Sequence, residues 1–192
     1  NLEEAKKQEI YRSIYDDSMW LVDLTENLLS ITRIENGTMH LNMNPELIED
    51  VFRDALSHID RKSKDHHITL QLSDDMLMAN MDARLIVQVI INILNNAIKY
   101  TPTGSHISLM AQKADDMVEI RIADDGPGIS DEAKKHLFDM FYRASDGPAG
   151  ADSRRGLGLG LSLCKSIVEA HGGNIKVSDK APHGAVFSFT LP

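Results

Sequence analysis

The chain has 192 residues, 42% of them hydrophobic, which is enough to bury one ordinary core and too apolar for a disordered tail. Its 29 acidic and 20 basic side chains leave a formal charge of -9, which disfavours direct binding to nucleic acid or contact with an anionic membrane surface. No apolar run approaches the roughly 20 residues needed to cross a bilayer, residues 1–8 are mixed charged, and the single Cys164 excludes an internal disulfide framework, so a soluble domain in a reducing compartment is expected.

Apolar residues recur at Ile10, Ile14, Leu21, Leu24, Leu28 and Ile31 in steps of four and three, with Asp17 filling the one vacant seam position. Trp20, Leu29 and Ile34 widen the stripe, so residues 10–31 predict a long helix packed against one or more others and ending near Asn36 and Gly37. With fewer than four heptads, an ordinary amphipathic core helix fits equally. The pattern changes after Gly37, which sets a boundary between residues 1–36 and 37–192. Alternating Met39, Leu41 and Met43 predict a strand, and Asn44-Pro45 a helix start, with helix over 46–63. Strands are expected at 68–72 and 78–81. A helix capped by Asp82 runs to Tyr100, where residues 101–104 stop it, and strands 106–114 and 118–123 form a hairpin turning at Asp115 and Asp116. Helices over 130–141 and 161–170 and strands at 174–178 and 185–191 complete the chain. Between the two helices, residues 144–155 are rich in Gly, Ala, Asp and Ser without periodicity, and read as a lid or a disordered loop. The class is α+β: a two-layer α/β sandwich whose mixed, mostly antiparallel sheet carries helices on one face, with a long N-terminal helix.

Three segments carry chemistry. Asn92, Asn96 and Lys99 share one helix face, where amide oxygens could hold magnesium and the lysine could reach a phosphate, although the same spacing serves a plain solvated face. The segment Asp124-Asp125-Gly126-Pro127-Gly128-Ile129 follows a strand; its glycines let backbone pass close under a flat ligand, and a strand-end carboxylate can accept a bond from an exocyclic amine such as adenine's. It reads also as a tight surface turn. Neighbouring strand residues face opposite ways, so Asp124 and Asp125 make a poor acid/base or metal pair. The alternation Gly156-Leu157-Gly158-Leu159-Gly160-Leu161 runs into a helix and could cradle phosphate, or serve tight helix packing. Cys164 stands before Lys165 where a Walker loop requires glycine, and the glycine spacing is wrong for a dinucleotide fingerprint.

In this order, the segments resemble the catalytic and ATP-binding domain of bacterial sensor histidine kinases, in the superfamily shared with gyrase, the HSP90 chaperones and MutL. Residues 92–102 are similar to the N box, 124–129 to the first glycine box, and Phe138-Asp139-Met140-Phe141-Tyr142-Arg143 to the F box. Residues 156–161 are similar to the second glycine box and 184–192 to the closing strand. The heptad helix, with residues 26–35, resembles the second helix of the dimerisation and phosphoacceptor bundle, and its wording is similar to the potassium-responsive KdpD-type kinases.

The resemblance implies a Bergerat-type fold that binds ATP and Mg2+. Asp124 would bond adenine, Gly126, Gly128 and Ile129 shape the base pocket, Asn96 hold the metal, and Asn92 help position metal and phosphates. Lys99 and Arg143 would face phosphate, Tyr100 and Phe141 lie near the nucleotide, and Gly156, Leu157, Gly158, Leu159, Gly160 and Leu161 form the closing loop. Asn92, Lys99 and Arg143 make up the implied catalytic set. Where hydrolytic relatives carry a glutamate, one turn before the metal asparagine, Asn92 cannot act as a base at neutral pH, so phosphotransfer is favoured over hydrolysis. None of the eight histidines has the acidic neighbour and downstream arginine and proline of the family's acceptor, so the acceptor is expected on an upstream bundle helix. Leu157 also departs from the small hydroxyl residue often found there. Implied partners are that helix, a second subunit in a homodimer, and a response regulator receiver domain, in the cytoplasmic part of a membrane-anchored sensor. A nucleotide-sensing module without phosphotransfer is the rival reading, and an ATP-hydrolysing machine the third.

Overall fold

The computed structural model describes residues 2–35, 40–59, 65–143 and 158–192. Its centre is a five-stranded sheet in the order β2 (His67–Leu72), β4 (His106–Ala114), β5 (Met117–Asp124), β7 (Ala185–Leu191), β6 (Ile175–Asp179). Only β2 and β4 run parallel; the other three pairings are antiparallel. The period-two pattern of β4 and β5 explains the layers. Ile107, Leu109 and Ala111 of β4 and Val118, Ile120 and Ile122 of β5 are buried in one core, with Ile120 paired to Ala111 on one side and Phe189 on the other. Gln112, Glu119 and Arg121 occupy the alternate positions and form a polar cluster with Lys176.

The helices α2 (Ile48–Ser57), α3 (Ala83–Tyr100) and α5 (Gly160–Ala170) supply the other half of that core. The central helix, α3, buries nine apolar side chains and contacts both α2 and α5. Its start is as expected: the Asp82 carboxylate accepts the Leu85 N–H, with its other oxygen accepting the Asn42 N–H at 3.1 Å. Residues expected at the Asp115 turn and in the terminal strands also fall as anticipated, within a residue or two.

Three expectations need correction. No strand forms at Leu41 and Met43; instead β1 (Asn44–Leu47) occupies the anticipated helix start and pairs antiparallel with β3 (Met78–Met81) in a separate two-stranded sheet. Pro45 is tolerated because it faces Asn80, whose N–H points away to the Pro192 carbonyl at 2.7 Å, so this pair exchanges no ladder bond. The following helix spans only Ile48–Ser57, since Ser57 Oγ and the His58 ring both turn back to the Asp54 carbonyl and close it. Helix α4 (Asp131–His136) ends five residues short of Phe141. Phe138 packs edge-on against Phe187, with ring centroids 6.5 Å apart, and Phe141 adopts φ 64°, which an α-helix cannot contain.

The N-terminal helix α1 (Leu2–Glu35) is longer than its heptad pattern. It contacts α5 and meets α3 through a Gln88 Nε2 to Asn27 Oδ1 bond of 3.3 Å. Four seam residues, Ile10, Ile14, Leu21 and Leu28, are exposed, so this chain alone does not cover the seam. The side chains of Trp20, Leu24, Ile31 and Ile34, and Met39 with the Asn36–Gly37 stop, lie outside the described residues, as do the helical positions expected at 60–63.

Candidate nucleotide site

Strand β5 delivers Asp124 to the site by parity: Val118, Ile120, Ile122 and Asp124 share the face toward the helices. Only 8% of Asp124 is exposed, and its Oδ1 accepts two backbone donors, the Gly126 N–H at 2.9 Å and the Ala185 N–H at 3.3 Å. Those bonds fix the carboxylate while engaging, among the described residues, one oxygen, which leaves Oδ2 available to a ligand donor. Asp125 does different work. It accepts the His106 N–H at 2.9 Å and lies 3.3 Å from His106 Nδ1, tying the turn to the neighbouring strand. Burial pushes its carboxyl up, but hydrogen bonds from His106 and Ser105 outweigh that and hold it below the usual range. The two aspartates therefore have separate roles, as the alternation of strand side chains requires.

Glycine is needed around this carboxylate for space. A Cβ on Gly126 would stand 2.7 Å from Thr101 Cγ2 and 3.0 Å from Asp124 Oδ1; one on Gly184 would stand 2.1 Å from the Asp124 carbonyl oxygen. Gly128, at φ 80°, brings the turn against the Gly184 carbonyl. Ile129 is half-buried beside it and packs against the core.

Helix α3 presents the asparagines. Asn92 lies under the first residue of α5, where a Cβ on Gly160 would be 3.7 Å from its Oδ1. The buried Cys164 thiol donates to the Val89 carbonyl at 3.7 Å, and burial pushes it up to about 12, so Cys164 is an inert core residue. The Nδ2 of Asn92 and the Oδ1 of Asn95 are buried without a hydrogen-bond partner among the described residues, the condition of groups waiting for a ligand or water. Further along, Lys99 Nζ stands 5.1 Å from the exposed Tyr100 ring.

The glycine loop meets the F box directly. Gly158, at φ 70°, accepts the Phe141 N–H at 3.1 Å, and a Cβ there would stand 2.4 Å from the Tyr142 carbonyl oxygen. Helix α5 starts at Gly160, with Leu159 before it and no side chain capping the end, so its first-turn N–H groups are open to an anion. Leu159 is buried, Leu161 half-buried, and Arg143 exposed next to the same junction. Gly156, Leu157 and the expected lid at 144–155 lie outside the described residues.

The structure thus gathers Asp124, Gly126, Gly128 and Ile129 at the turn after β5 and sets Asn92 beside Gly160, with α3 carrying Asn92 and leading into Thr101 beside Gly126. Sequence reasoning assigned no role to Thr101, Gly184 or Ala185, although each touches the Asp124 turn. The only local hint was the glycine at 184 opening the last strand.

A buried carboxylate on a sheet end, an amide-bearing helix and an uncapped helix start beside Gly158 are thus set on one α+β fold. Residues 81–192 match the family described as histidine kinase-, DNA gyrase B- and HSP90-like ATPase, and the chain belongs to that family. Among curated relatives, the sensor protein KdpD of Clostridium acetobutylicum is 42% identical over 191 residues, covering 100% of this chain and 21% of that protein. KdpD of Escherichia coli is 32% identical over 169 residues, covering 88% of this chain and 18% of the other. The chain therefore spans about a fifth of the length of these relatives. Among solved structures, the Acinetobacter baumannii histidine kinase AdeS has the same fold, with a TM-score of 0.77 at 24% identity over 94% of this chain and 82% of that one. The mycobacterial sensor histidine kinase MprB gives 0.67 at 27% identity, over 78% and 97%. ShkA, solved in complex with AMPPNP, gives 0.75 at 26% identity over 90% and 35%.

Proposed function

We propose that this chain is the ATP-binding kinase core of a two-component sensor: it binds Mg-ATP and directs the γ-phosphoryl to a histidine on a bundle helix outside these 192 residues, from which a receiver-domain aspartate takes it. The observation that carries the reading is Asp124, buried and held by two backbone donors on one oxygen, with the other free for the adenine amine. The KdpD relatives and the AMPPNP-bound ShkA support it.

The residues present fit a magnesium ion carried by the nucleotide. Asn96 has no protein partner for its amide among the described residues, and neutral oxygen ligands plus phosphates suit this cation. Asn96 would hold the metal and Asn92 would orient it and the phosphates; such an ion would supply positive charge against the transferring phosphoryl group. Lys99, Arg143 and the first N–H groups of α5 face the phosphates. At position 92, one turn before Asn96, stands an amide that cannot activate water, so the bound nucleotide is preserved until an imidazole arrives.

In the same reading, residues 1–36 form the second helix of a dimerisation bundle and 37–192 the catalytic domain. The exposed seam of α1 would be covered by the acceptor helix and a second subunit, in the cytoplasmic part of a membrane-anchored sensor. The test is incubation with γ-labelled ATP, with and without a polypeptide containing the acceptor helix. Acid-labile label appearing only with that helix supports the kinase core. Rapid phosphate release by the chain alone supports a hydrolytic machine instead, and binding that never leads to transfer supports a nucleotide sensor.

A further inference from the structure

We propose that His66 is a positioning residue for the base-binding turn, acting on Asp124 through the Thr101 hydroxyl; the inference rests on the reading of Asp124 as the adenine-binding carboxylate. Thr101 directly follows α3, and its backbone N–H and its hydroxyl both donate to the Ala97 carbonyl, at 3.1 and 2.7 Å. A hydroxyl carries a single proton, and this one is committed. The remaining partner of Thr101 Oγ1 is His66 Nε2 at 3.0 Å, which must therefore be the donor, so the proton of His66 sits on Nε2.

Donating to one group and accepting from another pins the χ1 of a β-branched residue. The methyl that this places is Thr101 Cγ2, the nearest atom to a Cβ built on Gly126, at 2.7 Å. Gly126 in turn donates its N–H to Asp124 Oδ1 at 2.9 Å. The methyl thus occupies the space where a side chain at 126 would stand, and the path from imidazole to carboxylate runs through the Thr101 hydroxyl, that packing and the Gly126 N–H. The backbone on either side of His66 is tied to the loop after Thr101, because the Gly104 N–H donates to the Asp65 carbonyl at 2.7 Å and the His67 N–H to the Ser105 carbonyl at 2.9 Å. The same laced segment supplies His106 N–H to Asp125. The base-binding turn is therefore braced at two successive residues, Asp125 by the His106 N–H and Gly126 by the Thr101 methyl, and His66 holds that methyl through the Thr101 hydroxyl.

The experiment is calorimetric titration of the 192-residue chain with adenosine and with Mg-ATP, using wild type, His66→Ala, His66→Gln, Asp124→Asn and the His66→Ala/Asp124→Asn double variant. His66→Ala is expected to weaken adenosine and Mg-ATP by the same factor, about two- to tenfold, the range for one hydrogen bond. The side-chain amide of His66→Gln offers an N–H to Thr101 and recovers most of that loss. In the Asp124→Asn background His66→Ala adds nothing, since its effect passes through the carboxylate. Wild-type affinity in His66→Ala, equal losses in His66→Ala and His66→Gln, or full additivity in the double variant would each overturn the proposal. If His66→Ala fails to fold, nitrogen chemical shifts of the wild-type imidazole decide: a proton on Nε2 supports the proposal and one on Nδ1 overturns it. A wild-type chain that binds neither ligand overturns the reading of the pocket itself, and the inference falls with it.

Discussion

His171 Nε2 accepts the Asp82 N–H at 3.0 Å, while its Nδ1 lies 2.7 Å from the Ile167 carbonyl. A backbone amide can only donate and a carbonyl only accept, so the buried imidazole is neutral with its proton on Nδ1. The bond joins the C-terminal end of α5, whose other end opens at the glycine loop, to the N-cap of α3, which carries Asn92 and Asn96. The two helices that border the proposed nucleotide site are thereby locked together at the ends away from Asn96 and Gly160.

Replacing His171 with alanine leaves the part-buried Asp82 N–H without its acceptor and opens a cavity. The amide alone costs about 1–3 kcal/mol. Urea denaturation should show at least that loss, and hydrogen exchange should rise first in the opening turn of α3. A wild-type imidazole with its proton on Nε2 by NMR would contradict the assignment.

For the paired aspartates the structure separates two substitutions that look alike in sequence. In Asp124→Asn the oxygen facing Gly126 and Ala185 can stay, but an NH2 replaces the free oxygen and meets the adenine amine donor to donor. ATP affinity should fall by about 1.5–3 kcal/mol, the worth of a charge-assisted bond. Asp125→Asn keeps an acceptor for the His106 N–H and touches no proposed ligand. Its affinity should match wild type in calorimetric titration; equal losses in both variants would remove the adenine assignment.

How far these roles were legible depended on distance along the chain. Helix α3 and the β4–β5 hairpin could be read because every signal was local: the Asp82 cap, nine buried apolar positions at helical spacing, and two apolar strands joined at the Asp115 turn. Pro45 misled because the Asn-Pro pair is a good helix opener, and only the partner Asn80 reveals that its missing N–H is not needed. At the site, the parity of Asp124 and Asp125 was readable. The second donor to Asp124, Ala185, comes from 61 residues away, and the Thr101 contact from another element, so no local pattern could announce them.

Glu119 supplies a pH prediction. On the polar face of the sheet its side chain is 10% exposed, and the bond from Arg121 at 2.6 Å, with help from Gln112 and Lys176, lowers its pKa below the ordinary 4.5 despite opposing burial. A carboxyl depressed in the folded state contributes stability above its unfolded value and loses it as pH falls through the folded one. Glu119→Gln should therefore be less stable than wild type at pH 7, and the gap should close as pH drops below 4.5. Denaturant titrations across that range measure it; a gap that widened in acid would refute the pairing.

Asn96 offers the sharpest division between metal and base. Its amide faces no protein partner among the described residues, whereas Asp124 is held at the opposite end of the proposed ligand by β5 and β7. Removing the amide in Asn96→Ala should leave the adenosine affinity nearly unchanged, because that ligand carries neither phosphate nor metal. Mg-ATP should bind more weakly by about tenfold, the order expected for one interaction with a charged group. Chelating magnesium should then bring wild type and variant to the same ATP affinity, since neither can make the metal bond once the ion is gone. Calorimetry with adenosine, Mg-ATP and metal-free ATP completes the comparison. Parallel loss of adenosine and Mg-ATP binding would show instead that Asn96 supports the fold of α3, and a difference that survived chelation would place its interaction on the phosphates and not on the ion.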